Sequence, residues 1–508
     1  MEEEDIKLEE LKKADLSDVS TIFKDEILLN ENRVDELKEY IKKNNFIKKE
    51  SLRPIAWKIF LGLIPEEKNK SLEEWIDAID SQRNEYKNKL EKYCSLSLKK
   101  NKSEDPLLIN ENKDGDDLMK NYTDQNIINL INLDLIRTHQ NIDLFKNNKT
   151  KNILFNVLYI YAKESIDLPY GQGMNELVSF LYICLYPYYF TKGDKQKKTK
   201  DEIKEYLNDI DTHHEDIYLY FHDEEEIQAD LFFLFESLMY KGVKDLYAKD
   251  EVKKDDKNYH QYELFPDIIK DISNEDKPIP LNLRAFLLIK EKLKLIDKKL
   301  YNHFKQINIS CNYFLHRWYR CIFIREFDIR DALCLWDKIF LYEHQKRKIY
   351  KYPLLYMDYI CLAMIIRIRH RLIRKEEGDC FTILFHYPKV DDISEVIDIA
   401  EKIREIIENK LSGEPYNVDE IFGLIKDNGN GNGNDEENNS GDGRDELIIA
   451  PHIYNQFNSN GLISCDKKNE NIIFCGNYYL KKKYLLLFFF IFIIFILLIL
   501  LYFNIIRA

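Results

Sequence analysis

The chain has 508 residues, 45% hydrophobic and 32% charged, a balance that supports a large globular body and excludes a wholly disordered polymer. Its formal charge of -14 excludes a protein built mainly to grip a nucleic-acid backbone, a task that needs clustered Lys and Arg. With 16 glycines and 12 prolines it is too poor in turn formers for a many-stranded sandwich or a dinucleotide-binding βαβ unit, so the default class is all-α.

The first residues, Met1-Glu2-Glu3-Glu4-Asp5, lack the basic and apolar regions of a secretory signal, and 1–34 reads as an acidic helical extension. Polar stretches at 99–117 and 191–226 read as solvated loops interrupting the body. Helices are expected over 153–162 and 177–185, flanking the turn Pro169-Tyr170-Gly171-Gln172-Gly173, whose glutamine would be presented rather than buried. Residues 232–238 continue the helical pattern, with Asp230 as a cap near their start. Over 317–342 apolar residues recur at Trp318, Cys321 and Ile322, then at Ala332, Leu335, Trp336 and Phe340. These spacings of three and four fit two helices joined near Phe327-Asp328. A further helix is expected over 359–373.

Beyond 411 the character changes. Residues 412–483 read as a partly disordered linker, Gly- and Asn-rich over 427–445, with an apolar patch or strand around 447–453. Residues 484–503 are twenty apolar positions without a charge, about 30 Å as a helix, which is enough to cross a bilayer. Lys481, Lys482 and Lys483 precede the run and only Arg507 follows it, so the positive-inside bias puts the large body in the cytosol. The expectation is a tail-anchored protein of an intracellular membrane, with the endoplasmic reticulum or early secretory membranes favoured.

No catalytic signature of a hydrolase, zinc protease, P-loop NTPase or kinase is present. Nine cysteines occur without a CxxC pair, and His213, His214 and His222 lack nearby ligand partners, so no metal site is expected. Two short stretches carry more. In the first, Ile131, Asp134 and Arg137 fall three apart on one helical face, so that Asp134 can orient the Arg137 guanidinium while Ile131 anchors the turn. Taken alone, this is a surface ion pair worth about 0.2–0.5 kcal/mol. In the second, Tyr170-Gly171-Gln172-Gly173-Met174-Asn175, a glutamine stands between two glycines thirty-five residues past Arg137. Taken alone, that is an ordinary loop.

Together and in this order, the two stretches resemble the IxxDxxR and YxQG fingers of the TBC-domain family, GTPase-activating proteins for Rab GTPases. Arg53-Pro54-Ile55-Ala56-Trp57-Lys58, running to Leu61-Gly62 and Pro65, is similar to the family's N-terminal RxxxWKxLLGxxP segment. Ala229-Asp230-Leu231-Phe232-Phe233 resembles its ADxFF helix. Phe314 to Trp318 with Arg317, Arg325-Glu326-Phe327 and Leu335-Trp336-Asp337 resemble its FxxRW, REF and LWD signatures. The likeness covers roughly 35–411. Glu104-Asp105-Pro106-Leu107, and His386-Tyr387-Pro388 followed by Asp391-Asp392, look most like the member-thirteen branch.

The resemblance implies two packed helical subdomains and an activator with no nucleotide hydrolysis of its own. Its partners would be a GTP-bound Rab, which itself holds GTP and Mg2+, and a lipid bilayer reached through the C-terminal helix. Arg137 would supply positive charge to the phosphoryl group in trans and Gln172 would orient the attacking water. Tyr170, Gly173 and Asn175 would support the fingers. Arg53, Trp57, Lys58, Asp230, Arg317, Trp318, Glu326, Trp336 and Asp337 would be structural. Two departures stand out: Gln140 replaces a proline common after the arginine, and Gly171 is expected to loosen the glutamine loop. A catalytically silent Rab-binding adaptor or tether on the same surface is the competing reading.

Overall fold

The computed structural model describes residues 14–43, 45–66, 71–100, 115–165, 168, 170–186, 189–190, 197–247, 281–345, 353–425, 472–475 and 478–481. The expected membrane helix at 484–503, the linker at 427–445, the patch at 447–453 and most of the 99–117 stretch lie outside them. Among the described residues no helix is long and apolar enough to cross a membrane.

The body is helical. In its first half lie α1 (Leu16–Phe23), α2 (Arg33–Lys42), α3 (Arg53–Phe60), α4 (Leu72–Lys100), α5 (Gly115–Arg137), α6 (Asn148–Glu164), α7 (Met174–Leu185), α8 (Lys200–Tyr206), α9 (Ile210–Phe221) and α10 (Ile227–Tyr240). The second half contributes α11 (Leu281–Leu287), α12 (Lys298–Gln306), α13 (Asn312–Arg320), α14 (Ile329–Gln345), α15 (Tyr356–Arg367), α16 (Glu377–Phe385) and α17 (Ile393–Ser412). One apolar core runs through both halves, from Leu16 to Ile421. A two-residue parallel bridge joins Ala14–Asp15 to Tyr189–Phe190. Separately, Ile472–Cys475 and Tyr478–Lys481 form an antiparallel hairpin in register Ile472 to Lys481.

The helix ends follow local chemistry. The Asp15 carboxylate accepts from Ser17 N at the start of α1, and Asp392 does the same from Ser394 N for α17, which ends at Gly413 with φ 79°. The N-terminal segment is not a separate appendage, because Leu16, Val19 and Phe23 are buried and the Phe23 ring packs edge-on against Tyr218 at 5.5 Å.

The 191–226 stretch is corrected by the structure. Lys200–Tyr206 and Ile210–Phe221 within it form α8 and α9, with Ile203, Ile217, Tyr218 and Phe221 buried, rather than a solvated loop. A capping box starts α8, with Thr199 Oγ1 accepting from Glu202 N and Glu202 Oε2 accepting from Thr199 N at 2.8 Å. His213 in α9 stacks on Tyr206 at 3.9 Å, and burial holds the His222 imidazole down at about 3.

Asp230 is also corrected. It lies inside α10, whose N-cap is Glu226, and its buried carboxylate accepts from Lys58 Nζ at 2.7 Å and from Arg83 Nη2 at 2.9 Å. That pins α3 and α4 to α10. At the other side of α3, the Arg53 Nε and Trp57 Nε1 donors meet Asp337 of α14, at 3.0 and 2.7 Å, and Trp57 stacks on Trp336 at 5.6 Å. The arginine-tryptophan-lysine segment is thus a bolt between helices far apart in sequence. The paired helices expected over 317–342 are α13 and α14. The turn between them holds Ile322 at φ 43° and Phe323 at φ 64°, a conformation costly for a β-branched residue. Trp336 Nε1 donates to Ile322 O at 2.9 Å and secures it.

Candidate functional site

Arg137 is the last residue of α5, with its side chain 58% exposed and its guanidinium donating to Asp134 Oδ1. The other Asp134 oxygen accepts from the Tyr170 hydroxyl at 2.7 Å. One buried carboxylate therefore ties the end of α5 to the turn before α7. A second tie lies one residue further on, where Asn175 Nδ2 donates to Thr138 Oγ1 at 2.8 Å and Thr138 Oγ1 donates to Asp134 O at 2.8 Å. Ile131 is fully buried beneath them. Burial, helped by the neighbouring Asp134 carboxylate, pushes the Tyr170 phenol well above its ordinary range, so it remains a hydrogen-bond donor at any physiological pH.

Gln172 stands exposed in the turn that starts α7. Gly173, at φ 102°, is the N-cap position, where a left-handed backbone excludes most side chains, and its N–H donates to Asn175 Oδ1 at 3.2 Å. Gly171 does not loosen this turn. A Cβ there would come within 2.8 Å of the Tyr247 ring, and the Tyr247 hydroxyl donates to Arg320 O at 2.8 Å, so the loop is packed against a ring that is tied to the end of α13. Gln140, in place of the proline, donates to Ile136 O at 2.8 Å and satisfies a carbonyl at the end of α5.

Arg137 opens onto a cleft of about 540 Å³, lined also by His139, Glu176, Arg317 and Arg325. Glu176, in the first turn of α7, accepts from Arg325 Nε at 2.9 and 2.8 Å through its two oxygens. Burial keeps the His139 imidazole below its ordinary range and hence neutral at pH 7. His139 and Tyr247 belong to the site, with Glu176, but have no local signature. Only Glu176, four residues past Gln172 on a helix start, offered a hint.

Arg317 Nε lies 2.7 Å from Glu326 Oε1, off the line that a good hydrogen bond needs, and the Glu326 side chain is 1% exposed. Burial outweighs Arg317 and pushes the Glu326 carboxyl up to about 7, from an ordinary 4.5. A raised acid binds more protons in the folded state, so its contribution to stability falls as pH rises from about 4.5 to about 7. Relative to wild type, Glu326→Gln is expected to gain on the order of 2 kcal/mol between pH 5 and pH 8, read from urea unfolding curves. A difference that stays flat with pH would mean that Glu326 titrates as an ordinary carboxyl.

The Rab-GTPase-TBC domain family model matches residues 50–275 and 269–373, more than half of the chain. The chain is 28% identical to human TBC1 domain family member 5 over 366 residues, covering 71% of this chain and 42% of that protein. It therefore spans less than half the length of that relative. Human TBC1 domain family member 13 is 25% identical over 255 residues, covering 50% of this chain and 47% of that protein. The expected likeness to the member-thirteen branch is thus displaced by a longer and closer likeness to member 5. The crystal structure of the Ypt/Rab-GAP domain of Gyp1p aligns with a TM-score of 0.49 at 18% identity, covering 78% of this chain and all of that one. The family match over 50–373, more than half of the chain and on a helical body, means that the chain belongs to the Rab-GTPase-TBC domain family.

Proposed function

We propose that this protein accelerates GTP hydrolysis by a Rab-family GTPase, with Arg137 and Gln172 supplied in trans. The observation that carries this reading is the pair of ties, Tyr170 to Asp134 and Asn175 to Thr138, that hold two exposed polar side chains on one frame. Hydrolysis is slow when charge developing on the phosphoryl oxygens is uncompensated and the attacking water is poorly oriented. The planar Arg137 fork, permanently charged, suits phosphoryl oxygens better than a point charge. The Arg137 side chain is 58% exposed and can turn toward a phosphate, while the buried Asp134 it leaves keeps the Tyr170 hydroxyl as a donor. The Gln172 carboxamide can accept from a water and donate to an oxygen at once. GTP and Mg2+ come with the partner as substrate. Single-turnover hydrolysis by a panel of GTP-loaded Rabs, with and without the full chain, tests the reading, and a panel in which no member is accelerated would end it.

The same proposal includes attachment to a membrane through 484–503, supported by twenty uncharged apolar residues behind three lysines. Sharing a surface with a lipidated partner raises the effective concentration of encounter. The full chain is expected to stay with membranes through a carbonate wash, and a chain lacking 484–503 to be released. Equal release of both would remove the anchor.

A further inference from the structure

Helix α5 buries one face, with Ile131 at 0%, Leu135 at 4% and Ile127 at 9% exposure, yet it also carries three large aliphatics in solvent. Leu130 is 53% exposed, Leu133 62% and Ile136 61%. Leu130, Leu133 and Arg137 follow the spacing i, i+3, i+7, so the side chain that must reach the nucleotide and the two leucines project from the same face. In a chain that is 32% charged, no charged residue occurs from Gln125 to Leu133, and the next, Asp134, is buried under Arg137 and Tyr170. Large exposed aliphatics in an uncharged stretch, on a helix already packed on its other face, have the composition of a docking surface.

We propose that Leu130 and Leu133, flanked by Ile136, seat an apolar patch of the GTP-loaded partner beside its nucleotide and thereby help set which GTPase is accepted. The inference rests on the Rab-activating reading, and the occupant follows from continuity with the finger. At a rise of about 1.5 Å per residue, Leu133 stands about 6 Å and Leu130 about 10 Å along the axis from Arg137. A partner whose phosphoryl group lies within the reach of Arg137 must cover that face over these distances. Interfaces of ordinary size, about 800 Å² on each side, extend well past them.

The experiment is single-turnover GTP hydrolysis by the Rab that the full-length wild type accelerates best, read as rate against activator concentration. The double variant Leu130→Ser, Leu133→Ser is expected to raise the half-saturating concentration by about 10- to 100-fold, with the saturating rate held within about 3-fold, and Leu133→Ala alone to raise it by about 3- to 10-fold. Unchanged melting curves show that the solvent-facing replacements leave the fold intact, and the alanine variant carries the test if the serine pair does not. An unchanged half-saturating concentration overturns the proposal, as does a lowered saturating rate alone, which would mean that the stripe positions the finger. A wild-type dimer that the serine pair dissociates in sedimentation assigns the stripe to a second copy and also overturns it. If wild type accelerates no Rab, the parent reading falls and this one with it, whereas loss confined to the variants leaves the parent reading standing.

Discussion

Arg137→Ala is expected to lower the partner's single-turnover hydrolysis rate at saturating activator by about 10³- to 10⁵-fold, the usual worth of an arginine supplied in trans. Binding of the GTP-loaded partner should persist, because the frame does not depend on the guanidinium. Tyr170 still donates to Asp134 and Asn175 still donates to Thr138. Arg137→Lys should recover little, since an ammonium cannot present two parallel donors to phosphoryl oxygens. The measurement is the rate across activator concentration together with direct binding to the partner. A variant that keeps full stimulation would leave the protein a binder only and favour the adaptor. Loss of both rate and binding would move Arg137 from chemistry to docking.

The second large effect is on stability. Asp230→Ala is expected to cost about 3–5 kcal/mol at pH 7, because it strands two cations that folding has removed from water. Lys58 Nζ sits 2.7 Å from Asp230 Oδ2, and Arg83 reaches both oxygens at 3.1 and 2.9 Å. Burial alone would raise this carboxyl. Arg83 and Lys58 instead hold it well below the usual carboxylate range. A depressed acid contributes stability that is present above the ordinary Asp value near 3.8 and lost as pH falls beneath it, so the penalty should shrink in acid. Guanidinium unfolding of both proteins at pH 7 and pH 3 gives the two numbers. A penalty near 1 kcal/mol at pH 7 would mean that water reaches the site and solvates the stranded charges.

The placement of Arg137 beside Asp134 and the exposure of Gln172 were legible because their signals are local: a three-residue spacing for the first, and two glycines around the second. Helix existence was legible for the same reason, and the break between α13 and α14 falls where the apolar pattern restarts. Where the structure departs from the expectation, the cause is most often a partner distant in sequence. Asp230 carries the residue type of a cap near a helix start, and its partners lie 147 and 172 residues away. Glu176 meets Arg325 across 149 residues, so neither predicts the other. In α8 and α9 the many charged residues face solvent and outnumber four buried apolar ones. Thr199 and Glu202 formed a capping box in plain view, a three-residue signal that deserved more weight than the surrounding charge. Nothing near Gly171 in the sequence signals its packing, because the Tyr247 ring that fills the space beside it lies 76 residues on.

The division of labour around Asp134 has a consequence for descent. What joins the two segments is Tyr170, Asn175, Thr138 and the carboxylate itself, whereas the tips that would touch the substrate, the Arg137 guanidinium and the Gln172 amide, bear none of that structural weight beyond the one contact of Arg137 with Asp134. Either tip can therefore mutate without collapse of the scaffold. On the proposed reading, a duplicated gene losing one of them would still encode a folded protein able to hold the partner, so silent binders lie a single codon away from activators built on this arrangement.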